Sequence, residues 1–204
     1  MKLYVDREYA SPWAMAVFVG LREKGLDFDV EALDLAAGDQ RESGFARRSL
    51  TQRVPSLVDG DFALSESTAI LEYLDDTQPG PALLPTEPRQ RARARQLQAW
   101  LRSDLAALRA ERSTEVVFYR PTDKPLTAAG QAAADKLIAA ATQLLGDREH
   151  LFGDWSVADV DLTIMLNRLI LNGDPVPEAL KQYAARQWQR PSVQAWVKLE
   201  RPPL

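Results

Sequence analysis

Apolar positions early in the chain switch between two periods, simple alternation and a return every three or four residues, and each switch marks an element. Lys2 to Asp6 alternates and predicts a strand, followed by a loop from Arg7 to Ser11. Trp13, Val17, Phe18 and Leu21 then recur at helical spacing. Ser11 suits the cap of that helix, Pro12 its first position and Gly25 its stop. Leu26 to Leu33 alternates around Phe28, Val30 and Ala32 and predicts a second strand. Strand, helix, strand over so short a distance predicts a βαβ unit with parallel strands. Ser43 to Leu50 reads as a short helix. The stretch from Val54 to Ser67 reads as a proline-led edge, a strand, an Asp59-Gly60 turn and a second strand, with a helix running from near Glu66 to Asp75 or Asp76. The predicted order is βαβαββα, an α/β domain over residues 1–79.

Prolines 79, 81, 85 and 88, with Gly80, interrupt regular structure, so 80–88 is expected to be a linker. Beyond it the spacing is helical. Ala94, Leu97, Trp100, Leu101, Leu105 and Leu108 predict one long helix from Arg89 to Ala110, extendable to about Val117. Further helices are expected over Thr127 to Leu145, Ser156 to Ile170, Pro175 to Ala185 and Pro191 to Leu199. The segment 89–204 is therefore read as an all-helical bundle, with the apolar helix from Ser156 at its core.

Composition narrows the chemistry. The 204 residues carry a formal net charge of -4, which disfavours nonspecific nucleic-acid binding by the whole surface. No cysteine is present, which removes disulfides, thiolate metal sites and a protein-thiol nucleophile, and His150 is the sole histidine. Without a leader-like apolar start or a run of bilayer length, the expectation is a soluble, cytoplasmic protein with no membrane partner.

Three places carry candidate chemistry. Pro55 lacks an amide hydrogen and leaves the carbonyl before it free for other partners. Glu66 and Ser67 stand at a helix start, where unsatisfied amides favour an anion. Ser11 stands at another, either as a simple cap or as a catalytic hydroxyl. The Ser156–Asp159 spacing reads as a structural capping box, with Asp161 bonding to a neighbouring loop.

An α/β domain, a proline-rich linker and a helical domain, with Val54-Pro55, then Glu66-Ser67, then Ser156-Val157-Ala158-Asp159, resemble the cytosolic glutathione transferases over essentially the whole chain. Ser11-Pro12 and the run Arg93 to Asp104 look most like bacterial serine-type members. The resemblance implies a thioredoxin-like first domain, glutathione as co-substrate without a metal, and conjugation of glutathione to small electrophiles. Reduction of organic hydroperoxides is a further implied activity. It implies a Val54-cis-Pro55 that presents backbone to the tripeptide, Glu66 and Ser67 at its γ-glutamyl end, and Ser11 at the sulfur, with Tyr9 as the alternative donor. Arg53 stands where many members have a lysine facing the glycyl carboxylate. Asp104 is implied near the γ-glutamyl group of a neighbouring subunit, hence a homodimer, and Arg109, Arg112, Tyr119 and Trp188 are candidate walls for the electrophile. The other reading is a non-enzymatic interaction module on the same fold.

Overall fold

The computed structural model describes residues 1–204. Strands β1 (Lys2–Asp6), β2 (Asp29–Leu33), β3 (Ser56–Asp59) and β4 (Phe62–Ser65) form one sheet in the order β2-β1-β3-β4. β1 runs parallel to β2 and antiparallel to β3, and β3 pairs antiparallel with β4. Helices α1 (Pro12–Glu23), α2 (Ser43–Ala46) and α3 (Ser67–Thr77) complete the expected βαβαββα order. α1 is buried along nearly its whole length, from Pro12 through Leu21, and packs on α3.

The helical part comprises α4 (Pro88–Ser103), α5 (Ala106–Glu111), α6 (Glu115–Phe118), α7 (Ala128–Leu145), α8 (Val157–Ile170), α9 (Glu178–Trp188) and α10 (Pro191–Val197). Every residue of α8 except Ile170 is buried, as befits the central helix of a bundle. Two compact units emerge: residues 1–83 together with 191–204, and residues 84–190. The last helix thus groups with the α/β unit, because its Trp196 is fully buried against Phe18 of α1 and the ring of Tyr9. No helix is long and apolar enough to cross a membrane.

Several local readings change. The long helix from Arg89 is broken after Ser103, where Leu105 adopts a left-handed backbone (φ 59°) and the Asp104 carboxylate accepts its amide at 2.7 Å. Helical periodicity survives a break that keeps apolar residues on one side, so spacing alone did not reveal it. β2 starts at Asp29 rather than Leu26, and its Val30 is 38% exposed. The hairpin loop is Gly60-Asp61, not Asp59-Gly60. Asp59 stays in the ladder opposite Phe62, its carboxylate receiving the Tyr73 hydroxyl at 2.9 Å, and Gly60 takes the positive φ. Asp161 bonds a helix, not a loop: Gln98 of α4 donates to it at 2.8 Å and Arg102 pairs with it at 3.4 Å.

Candidate active site

Sheet register decides which candidate residues meet. Tyr4 of β1 lies opposite Ser56 of β3, and Ser56 lies opposite Ser65 of β4. The exit of β1 toward Ser11, the entry of β3 from Val54-Pro55, and the exit of β4 into Glu66-Ser67 therefore share one end of the sheet. Six of the eight candidates, and Arg53 just before Val54, gather there or on the adjoining loop. Asp104 belongs to the other unit.

Ser11 is the N-cap of α1 and half-buried, its Oγ accepting the Ala14 amide at 3.2 Å. That bond uses a lone pair of the hydroxyl and leaves its hydrogen for another acceptor. The loop before it is shaped by Asp6, 5% exposed at the end of β1, whose carboxylate accepts the amides of Ala10 at 2.6 Å and Ser11 at 3.1 Å. Burial pushes the Asp6 carboxyl up, and the two amides pull it back down. Between them Tyr9 is left-handed (φ 47°), a conformation costing on the order of 1 kcal/mol or more for a residue with a Cβ. Its ring lies edge-to-face on Trp196 at 5.7 Å, and its carbonyl accepts from Arg201 at 3.2 Å.

The Val54–Pro55 peptide bond is cis, with Pro55 buried and Val54 half-buried. Arg53 is exposed, and its carbonyl receives the buried Ser49 hydroxyl at 3.2 Å. Glu66 is exposed with a positive φ of 74°, and its carboxylate makes no capping bond to α3. A side chain that spends no bond on its own helix, held at a strained backbone position, is available to a ligand cation. Ser67 opens α3 and is 4% exposed.

In the helical unit Asp104 works as a turn-maker. It accepts from Trp100 Nε1 at 2.9 Å and from the Leu105 amide, and it pairs closely with Lys136. Those bonds, Lys136 foremost, hold its carboxyl down to about 2. Arg112 is largely buried and makes a two-pronged bond to Asp174 at 2.6 and 2.9 Å. It also lines a cleft of about 730 Å³ with Glu111, Arg120, Lys124 and Thr127. Arg109 closes the end of α4 by donating to the Leu101 and Asp104 carbonyls, and Trp188 stacks near Phe118. No three histidine or carboxylate side chains converge as metal ligands.

Sequence reasoning missed Asp6 and Arg201. An aspartate ending a strand four residues before a loop amide is a turn-forming signal that was present in the sequence. Nothing in the spacing ties Arg201 to Tyr9.

Known proteins resemble this chain along most of its length. Residues 10–77 match the family model of the glutathione S-transferase N-terminal domain, and residues 87–201 that of the glutathione S-transferase C-terminal domain. Glutathione S-transferase Z1 of Arabidopsis thaliana is 32% identical over 89% of this chain and 86% of its own length. The maleylacetoacetate isomerase of Pseudomonas aeruginosa is 33% identical over 81% of this chain and 80% of its own. A Burkholderia glutathione transferase homolog, solved with bound glutathione, is 46% identical and superposes with a TM-score of 0.78 over 97% of this chain and 95% of that one. With both halves matched nearly end to end, the chain belongs to the glutathione S-transferase family.

Proposed function

We propose that this protein binds glutathione at the shared sheet end and conjugates it to small electrophiles. The observation that carries the reading is Ser11: a hydroxyl with its hydrogen uncommitted, at a helix N-terminus, beside the cis-proline entry of β3 and the Glu66-Ser67 start of α3. The backbone of Val54 pairs with the cysteinyl residue as an added strand would. Glu66 meets the γ-glutamyl ammonium, Ser67 its α-carboxylate, and Arg53 the glycyl carboxylate. Ser11 donates to the sulfur, with Tyr9 the alternative donor, and the positive end of α1 adds to the field that favours thiolate over thiol. The thiol proton leaves to solvent, the sulfur forms its bond to an electrophilic carbon, and the leaving group departs with the electron pair. With an organic hydroperoxide the same sulfur attacks oxygen and releases an alcohol. A second glutathione then closes the disulfide with loss of water. Asp104 is assigned to the γ-glutamyl group of a neighbouring copy in a homodimer.

Calorimetric titration of glutathione into wild type and Ser11→Ala, with turnover of an aryl halide and an organic hydroperoxide on the same samples, tests this. Retained binding with turnover reduced roughly 100-fold is expected, the cost of losing a single preorganised donor to a developing anion. Absence of both binding and turnover in wild type discards the reading in favour of an interaction module. The likeness to the Pseudomonas isomerase favours one second activity, glutathione-dependent isomerisation of maleylacetoacetate, which the same samples test directly.

A further inference from the structure

The loop that delivers Ser11 is held from two sides. From within, Asp6 binds the Ala10 and Ser11 amides, and its own carbonyl accepts the Tyr9 amide at 3.0 Å. The other hold comes from the far end of the chain. Arg201 Nη2 donates to the Tyr9 carbonyl and to the Trp196 carbonyl, each at 3.2 Å, while Nη1 donates to the carbonyls of Val197 and Leu199 at 2.8 and 2.9 Å. One planar guanidinium thus satisfies the open carbonyls at the end of α10 and fixes a single backbone atom of the β1–α1 loop.

That atom matters because of where it lies. Tyr9 holds the left-handed φ of the loop, and rotation of its carbonyl turns the Ala10 amide away from Asp6 and carries Ser11 with it two residues on. The Tyr9 ring does not replace the clasp: an edge-to-face contact with Trp196 limits where the ring sits but leaves the peptide plane free to rotate.

We propose that Arg201 is a positioning residue for the Ser11 hydroxyl, acting through the Tyr9 carbonyl, so that the C-terminal segment sets the reactivity of a site built from the start of the chain. The proposal rests on the glutathione reading above. Arg201 itself touches no reacting atom.

Arg201→Met, Arg201→Lys and Ser192→Ala separate positioning from general stability. Ser192 lies on the same α10 and bonds Glu23 of α1, so its loss loosens the helix while sparing the clasp. For each variant, melting temperature, glutathione affinity, kcat and KM are measured, with the pKa of the bound glutathione thiol read from thiolate absorbance against pH. Arg201→Met is expected to lower kcat roughly tenfold or more and raise the thiol pKa, with affinity changed less than about threefold, as for a misplaced donor. Arg201→Lys recovers only part of this, since one ammonium cannot span four carbonyls. Ser192→Ala keeps kcat and the thiol pKa at temperatures where it is folded. Wild-type kcat and thiol pKa in Arg201→Met overturn the proposal alone, as do equal losses in Ser192→Ala at a matched fall in melting temperature. A wild type that neither binds nor turns over glutathione overturns the reading beneath it as well.

Discussion

Arg112 and Asp174 form a buried pair whose two members are unequally replaceable. Arg112 is 2% exposed and cannot shed its charge, whereas the Asp174 side chain keeps a 15% opening to water. Asp174→Ala strands a cation and is expected to cost about 3 kcal/mol or more in denaturant unfolding, with Arg112→Met costing clearly less because the carboxylate rehydrates. Equal costs would mean that the guanidinium finds water after all. The same pair sets an acid limit. Arg112, and after it Asn172, hold the Asp174 carboxyl below its ordinary range while burial opposes them. A folded-state pKa below the unfolded one contributes stability that is complete above the ordinary carboxylate range and lost as pH falls through the folded value. Stability should therefore decline below about pH 4 in wild type, and Arg112→Met should flatten that decline. Asp6 has the opposite sign: with its pKa raised by burial, its contribution is present below the unfolded value and lost as pH rises through the folded one. That is a cost borne at neutral pH by a carboxylate whose two amide bonds shape the Ser11 loop.

The segment after α3 shows how an element that sequence reads as punctuation becomes structure. Between the end of α3 at Thr77 and Pro88, which opens α4, the chain with prolines 79, 81 and 85 and Gly80 forms no helix or strand, yet its path is not slack. Buried Lys24, at the end of α1, donates to the Gln78 carbonyl at 3.2 Å and pairs with Asp75 at 3.4 Å, and Asp75 also accepts the Leu83 amide at 2.8 Å. Gly80 passes over this junction with φ 103°, and a Cβ built there would stand 2.8 Å from the Lys24 carbonyl oxygen. Gly80→Ala is thus opposed twice, by its own backbone and by backbone that cannot rotate aside. A loss of about 2–4 kcal/mol is expected from denaturant melts, beyond what a lone positive φ costs. A loss under about 1 kcal/mol would show that the junction gives way easily. Composition announced a turn here, but the tie to Lys24 joins residues more than fifty positions apart and leaves no periodic trace. The break at Leu105 was hidden for a related reason: Asp104, Trp100, Lys136 and Arg109 hold it by side-chain bonds drawn from three helices. By contrast the capping box was readable from spacing alone, and Asp159 does accept the Ser156 amide at 2.9 Å, with Tyr183 and the Leu151 amide added by the fold.

At the scale of the whole chain, helical period told which residues form helices but not which partner each helix takes. α10 follows six bundle helices in the sequence, yet its buried Trp196, its Ser192 bond and the bond from Arg201 just beyond it to the Tyr9 carbonyl reach residues between Tyr9 and Glu23. The places of Ser11, Pro55, Glu66 and Ser67 in the fold were legible for the opposite reason: each stands at the start of an element, where cap and turn chemistry has few solutions. The contact pattern makes a cooperative prediction. If residues 191–204 belong with residues 1–83, amides late in α10 should exchange with solvent at the opening free energy of α1, not of α8. Glutathione supplies the perturbation. A ligand at a hundred times its Kd stabilises the folded state by about 2.7 kcal/mol, slowing exchange through shared openings by roughly 100-fold. That slowing should appear in α10 together with α1, although no α10 residue is assigned to the ligand. Arg201→Met should uncouple the two, leaving the response of α1 intact and weakening that of α10. Slowing confined to residues near Ser11, Val54 and Glu66 in wild type would mean that the C-terminal segment opens on its own, its contacts with α1 too weak to bind the two ends of the chain into one unit.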